Sequence, residues 1–150
     1  MAPPNPALQG YRDIVNRDGA AIPKLGTPQT CDVGSDAARA GGFAQCRAGS
    51  LTVKAAAQKY LDDLSAATVP EQLKQPDANL KAGLQALIAV QDERVAAIDG
   101  KSVDSIAAAN LKAGQVDFNG VSEAEAEITC WPAKVGPPVD FGSAHPCLRS

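Results

Sequence analysis

The sequence predicts an all-α fold, a four-helix up-and-down antiparallel bundle with an irregular C-terminal tail pinned by a disulfide. Three observations carry that expectation. Apolar residues recur at steps of three and four through four stretches of the chain, and no stretch shows the strict alternation of a half-buried strand. Aromatics make up 4% of the residues and hydrophobic residues 45%, so the core is built mainly from Ala, Leu, Val and Ile, which suit close helix approach. Pro and Gly gather between the periodic stretches and after Cys130. At 150 residues the chain has the length of one domain. It divides into a lead-in at 1–6, a bundle at 7–129 and a tail at 130–150.

The first stripe holds Leu8, Tyr11, Val15, Ile22 and Leu25, with Asp18 on it as a flaw. Gly19 and Pro23 weaken its second half and predict a kink or an early end. If the helix continues, Asp18 must find an Arg or Lys partner or line a polar cavity. If Gly19 ends it, Asp18 is a terminal polar residue, and this reading is slightly favoured. The stretch GTPQTCDVG at 26–34 is turn chemistry and holds Cys31. Ser35 can cap the next helix, with Asp36 in its first turn. Gly41, Gly42 and Gly49 weaken the helical pattern as far as Ser50, after which Leu51, Val53, Ala57, Tyr60, Leu61 and Leu64 mark a firm helix ending near Ala67.

Thr68 and Glu71 have the spacing of a capping box, and Pro76 predicts a kink soon after. The stripe Leu73, Leu80, Leu84, Leu87, Ile88, Val95 and Ile98 is the strongest helical signal, and Gly100 is its expected left-handed stop. Ser102 caps a last helix with Val103, Ala107, Leu111, Gly114, Phe118, Val121 and Ile128 on one face. Asn119-Gly120 would turn a hairpin between strands, but its flanks have helical period. The tail CWPAKVGPPVDFGSAHPC is too rich in Pro and Gly for a helix and is expected to pack through Trp131 and Phe141.

The hexapeptide ANLKAG occurs at Ala78 to Gly83 and again 31 positions later, at Ala109 to Gly114. A phosphate-binding glycine loop needs free backbone N–H groups at a strand-to-helix turn, whereas both copies lie inside helical patterns. The offset also maps Leu80 onto Leu111 and Leu87 onto Phe118, so the repeat reads as two helices with matching faces and ends. Gly83 and Gly114 are then candidate points of close helix packing. Asn79 and Asn110 border the stripe and either bond across helices to fix register or face water, the commoner fate of a helical Asn.

Four cysteines, Cys31, Cys46, Cys130 and Cys147, contain no C-x-x-C pair, which excludes zinc-ribbon, thioredoxin-like and c-type haem spacing. An even count in loop-like segments predicts two disulfides and an oxidising, extracytoplasmic location. Three pairings are open. Cys31–Cys46 and Cys130–Cys147 are favoured, because each closes a short local loop. The start MAPPNPALQG reads equally as a segment exposed by removal of a targeting peptide and as a native beginning.

The net charge of −3 and scattered basic residues exclude a nucleic-acid stripe and an acidic-membrane partner, and no apolar run is long enough to span a bilayer. His145 is the single histidine and lies in the tail, so di-iron chemistry fails by count and a catalytic base is poorly placed. Asp62 and Asp63 point apart on a helix, and Glu123, Glu125 and Glu127 step by two, which reads as a solvated face. No cofactor, metal or catalytic residue is expected. The leading expectation is a non-enzymatic exported bundle acting through its surface or a groove on an unidentified partner. The alternative is a small-ligand binding or sensing domain with a polar pocket between helices near Asp18, Asn79 or Asn110.

Overall fold

The computed structural model of the chain describes residues 5–22, 31–116, 118–136 and 146–148. Among them α1 (Pro6–Ala21), α2 (Asp36–Ala40), α3 (Ala44–Ala66), α4 (Lys74–Asp99), α5 (Val103–Gln115) and α6 (Phe118–Cys130) follow in order. Two-residue strands β1 (Lys134–Val135) and β2 (Cys147–Leu148) come last. The long helices pack antiparallel as a bundle, as the periodicity predicts. α1 lies against α3 and α6, and α4 against α3, α5 and α6. Leu25, Phe141 and His145 lie outside the described residues.

Asn5 caps α1 by accepting from the amides of Ala7 and Leu8, and Pro6 follows at the first helical position, where its missing N–H costs nothing. Against the favoured reading, the helix runs through Gly19 to Ala21, so Asp18 is buried rather than terminal. Ser35 and Ser102 cap as expected, their hydroxyls accepting from Ala38 N at 3.3 Å and Ser105 N at 3.2 Å. The firm helix begins earlier than expected, at Ala44, and carries Gly49 inside it.

The capping box does not form. Thr68 makes no cap, because Val69 and Pro70 lead into a single 3-10 turn over Glu71–Leu73, and α4 starts at Lys74. Glu71 pairs with Lys74 instead, at 2.8 Å. Pro76 therefore falls in the first turn of α4, where its lack of an N–H breaks no bond, and it marks the helix start instead of kinking an interior.

α4 ends at Gly100 as predicted, but the left-handed residue is Lys101, with φ 55°. Lys101 N donates to Ile98 O and Ser102 N to Ala97 O, the paired bonds that satisfy the last carbonyls of a helix. A side chain in this conformation costs about 1–2 kcal/mol, part of which glycine's unfolded-state freedom offsets. Lys101→Gly is thus expected to raise stability by roughly 0.5–1 kcal/mol in urea unfolding, and a decrease would show that the lysine side chain holds the turn.

The predicted last helix is broken. α5 stops at Gln115 because Val116 adopts extended backbone, with φ −63° and ψ 130°, and α6 restarts at Phe118. The break re-aims the chain, so the two ANLKAG copies do not present matching faces. Leu80 is fully buried while Leu111 is 67% exposed, and it is Ile106 and Ala109 that turn inward on α5. Ile106 and Ala109 stand two places before the equivalents of Asp77 and Leu80, so the second copy is turned by roughly 160–200° relative to the first. Gly83 keeps its expected role, since an added Cβ would lie 2.3 Å from Val121 Cγ2 on α6. Gly114 does not: it is exposed, and a Cβ there would meet nothing within 4 Å.

Both disulfides have the local pairing. Cys31–Cys46 and Cys130–Cys147 place their Cα atoms 4.9 and 5.3 Å apart. The first sits in a small core cluster with Phe43, Ala97, Ile98 and Ile106, apart from the main core of Tyr11, Val15, Tyr60, Leu64, Leu80, Leu84 and Ile128. The second ties the tail to the end of α6. Beside it Lys134 and Val135 pair antiparallel with Leu148 and Cys147, a short ribbon that the sequence did not suggest. Trp131 packs on the main core. Arg12 of α1 donates to the carbonyls of Ile128 and Trp131, capping α6 where its dipole favours a cation.

Candidate functional site

Among the described residues four charged side chains, Asp18, Asp77, Arg94 and Glu125, turn inward from the helices. Asp18 on α1 is buried and accepts from Arg17 Nε at 2.8 Å, with Lys59 Nζ of α3 at 3.6 Å. Those two cations also hold Asp63, whose carboxyl is kept below its usual range first by the Lys59 bond. Asp77 on α4 is buried, accepts from Tyr11 Oη and pairs with Lys81 at 2.8 Å. Burial, and then this bond to Asp77, push the Tyr11 phenol well up. Each of these acids has a basic partner, as burial of a charge requires.

Arg94 on α4 is only 5% exposed, and its bonds run to neutral groups, Asn110 Oδ1 at 3.0 Å and Gln91 Oε1 at 3.3 Å. Burial pulls its guanidinium downward. Asn110 in turn donates 2.8 Å to the carbonyl of Cys31, linking α4 and α5 to the first disulfide. It takes the cross-helix role. Asn79 takes the other: it is exposed and accepts from Gln75 of its own helix at 3.0 Å. The structure therefore separates the three polar residues picked from the sequence, and does not gather them into one pocket. Ser50 Oγ, fully buried on α3, has no hydrogen-bond partner among the described residues.

Glu125 is the residue that sequence reasoning missed. It sits on α6 one turn from Val121 and Ile128 and turns into the bundle instead of joining Glu123 on the surface. Its Oε2 accepts from Tyr60 Oη of α3 at 3.1 Å. A Cβ placed on Gly19 of α1 would fall 2.1 Å from that same oxygen and 3.4 Å from the Tyr60 hydroxyl. Gly19, whose lack of a side chain weakens α1 by propensity, is thus what makes room for the carboxyl. Among the described residues no Lys or Arg pairs with Glu125. Burial raises its carboxyl above the usual range, against the opposing pull of the Tyr60 bond. Tyr60 is pushed well up by burial first and by the Glu125 charge second.

Glu125 also opens onto a cleft between α1 and α6 of about 280 Å³, walled by Val15, Asn16, Ala20, Ser122, Ala126 and Thr129. The groove over Gly83 between α4 and α6, lined by Asn79, Ala82, Ala86, Val121, Glu123 and Glu127, is larger; of its two carboxyls Glu123 is exposed and Glu127 half-buried. No group of three or more His, Cys, Asp or Glu among the described residues is arranged to hold a metal ion. No described helix is long and apolar enough to cross a membrane. Compared with known proteins, the chain matches no family model, no curated sequence and no solved structure.

Proposed function

We propose that the chain is a non-enzymatic helical bundle of an oxidising, extracytoplasmic compartment that binds a small ligand in the cleft between α1 and α6. One observation carries this reading: a half-buried carboxyl on the cleft floor with one hydrogen bond and no cationic partner among the described residues. Perturbed ionisable groups in clefts concentrate at working sites, because an uncompensated buried charge is costly without a use. Two disulfides support the compartment, since such bonds persist where thiols are not kept reduced.

The reading through a surface groove has less behind it. At Gly83 the space that a side chain would take is held by Val121 of α6, so the close approach there serves the bundle itself. Thermal unfolding of the oxidised chain against separate panels of amines, carboxylates, sugars and neutral polar compounds tests the proposal. A ligand that binds the folded form raises the midpoint by mass action. At least one class is expected to do so, and the rise should vanish in Ala20→Phe, which blocks the rim at an exposed position. A flat response to every class, or a shift that survives Ala20→Phe, would overturn it.

A further inference from the structure

We infer that the α1/α6 cleft selects a primary ammonium group carried on a short aliphatic chain, with Glu125 as its counter-ion. This rests on the reading of the cleft as a ligand site and adds the chemistry of the ligand. An inventory of protons points to a cation. The Tyr60 hydroxyl donates its hydrogen to Glu125 Oε2. The Thr129 hydroxyl donates its own to backbone carbonyls of α6, at 3.0 Å to Glu125 and 3.3 Å to Ala126, which leaves only lone pairs on its oxygen.

The cleft therefore meets a ligand with the free carboxylate oxygen of Glu125 and the lone pairs of Thr129, beside the adaptable hydroxyl of Ser122 and amide of Asn16. Among the described residues its single charged side chain is negative. An ammonium offers three donors and no acceptor, so it complements such a wall, while a carboxylate or phosphate would face repulsion. Val15, Ala20 and Ala126 supply apolar surface for an alkyl chain beside the charge. Asp18 on α1 already has Arg17 and Lys59, and Asp77 on α4 has Lys81, whereas among the described residues Glu125 pairs with no Lys or Arg.

The test is a titration of the oxidised, 15N-labelled full chain with n-butylammonium at pH 8, read by amide chemical shifts and calorimetry. Saturable shifts are expected at Val15–Ala20 and Ser122–Thr129. Glu125→Gln keeps the shape but loses the charge, and should weaken binding about tenfold or more. Thr129→Val, which removes one acceptor, should weaken it less. An Nα-acetyl-lysine amide run in parallel separates a free amine from a lysine side chain presented by another molecule. Tetramethylammonium, which has charge but no N–H donor, and n-butanol, which has no charge, should not bind.

No saturable shift with either amine would overturn the inference, as would unchanged affinity in Glu125→Gln. If n-butanol binds the cleft and Glu125→Gln makes no difference, the cleft remains a ligand site and the cation chemistry alone fails. If no compound binds there, the ammonium inference falls, and the cleft as a ligand site falls with it only if the carboxylate, sugar and neutral polar panels are flat as well.

Discussion

Replacing Leu80 by Ala is expected to cost about 2–5 kcal/mol in denaturant unfolding, while the same replacement at Leu111 should change stability by no more than roughly 0.5 kcal/mol. The two leucines occupy the same place in identical hexapeptides, so local sequence cannot explain a difference between them. Burial can. Leu80 is fully enclosed in the main core, and truncating it removes transfer energy and leaves a cavity among close-packed neighbours. Leu111 is mostly in water and has little to lose. The glycines should diverge in the same sense. Gly114→Ala adds a methyl group to open space in a helix and should be neutral or stabilising by up to about 1 kcal/mol. Gly83→Ala drives a methyl group into the stiff, β-branched Val121 and should destabilise. Equal effects at the two copies would mean that α5 is not rotated relative to α4.

Removing either disulfide by paired Cys→Ala substitution should lower stability by about 3 kcal/mol, because each closes a chain separation of 15 or 17 residues. Losing both approaches the whole stability of an ordinary domain. The two losses should look different by hydrogen exchange. Cys31 and Cys46 are both buried in the small second cluster, and the Cys31 carbonyl holds Asn110, which holds Arg94. Without that bond, amides of α2, the start of α3 and α5 should lose protection together. Cys147 is exposed, and cutting Cys130–Cys147 should free the β1–β2 ribbon and leave α2 and α5 protected. A fully reduced chain with unchanged unfolding midpoint would contradict this role for both bonds.

Much of the fold is legible wherever a signal is local. Ser35 and Ser102 announce their helices, Gly100 ends one, and short separations pair the cysteines correctly. Local rules fail where a neighbour competes. Pro70 and Pro76 reset the start of α4 and displace the Thr68 cap, and the extended backbone at Val116 divides the last stripe. The candidate site was hidden for a related reason. Glu125 follows Val121 by four residues and precedes Ile128 by three, so it lies on the buried stripe, but its alternation with Glu123 and Glu127 imitates a solvated face. Asp77, between Leu73 and Leu80, and Arg94, between Leu87 and Ile98, carry the same signature. Spacing could have placed all three inside. Their partners could not be read, because Tyr11, Tyr60 and Asn110 reach them across helices.

The proposed ligand binding depends on Glu125 being a half-buried carboxyl that no Lys or Arg pairs among the described residues. Among the described residues the titratable group that bonds it is Tyr60 from α3, which donates to it. Because burial raises its folded-state pKa, Glu125 binds its proton more tightly in the folded chain than in the unfolded one. Its contribution therefore favours folding in acid and fades as pH rises through the folded-state midpoint. The most direct measurement is a carboxyl 13C NMR titration of the oxidised, ligand-free chain, with Glu125→Gln assigning the resonance. The expected result is a Glu125 midpoint above the ordinary glutamate range. A midpoint at or below that range would show the carboxyl to be solvated or paired, and would contradict the role given to it.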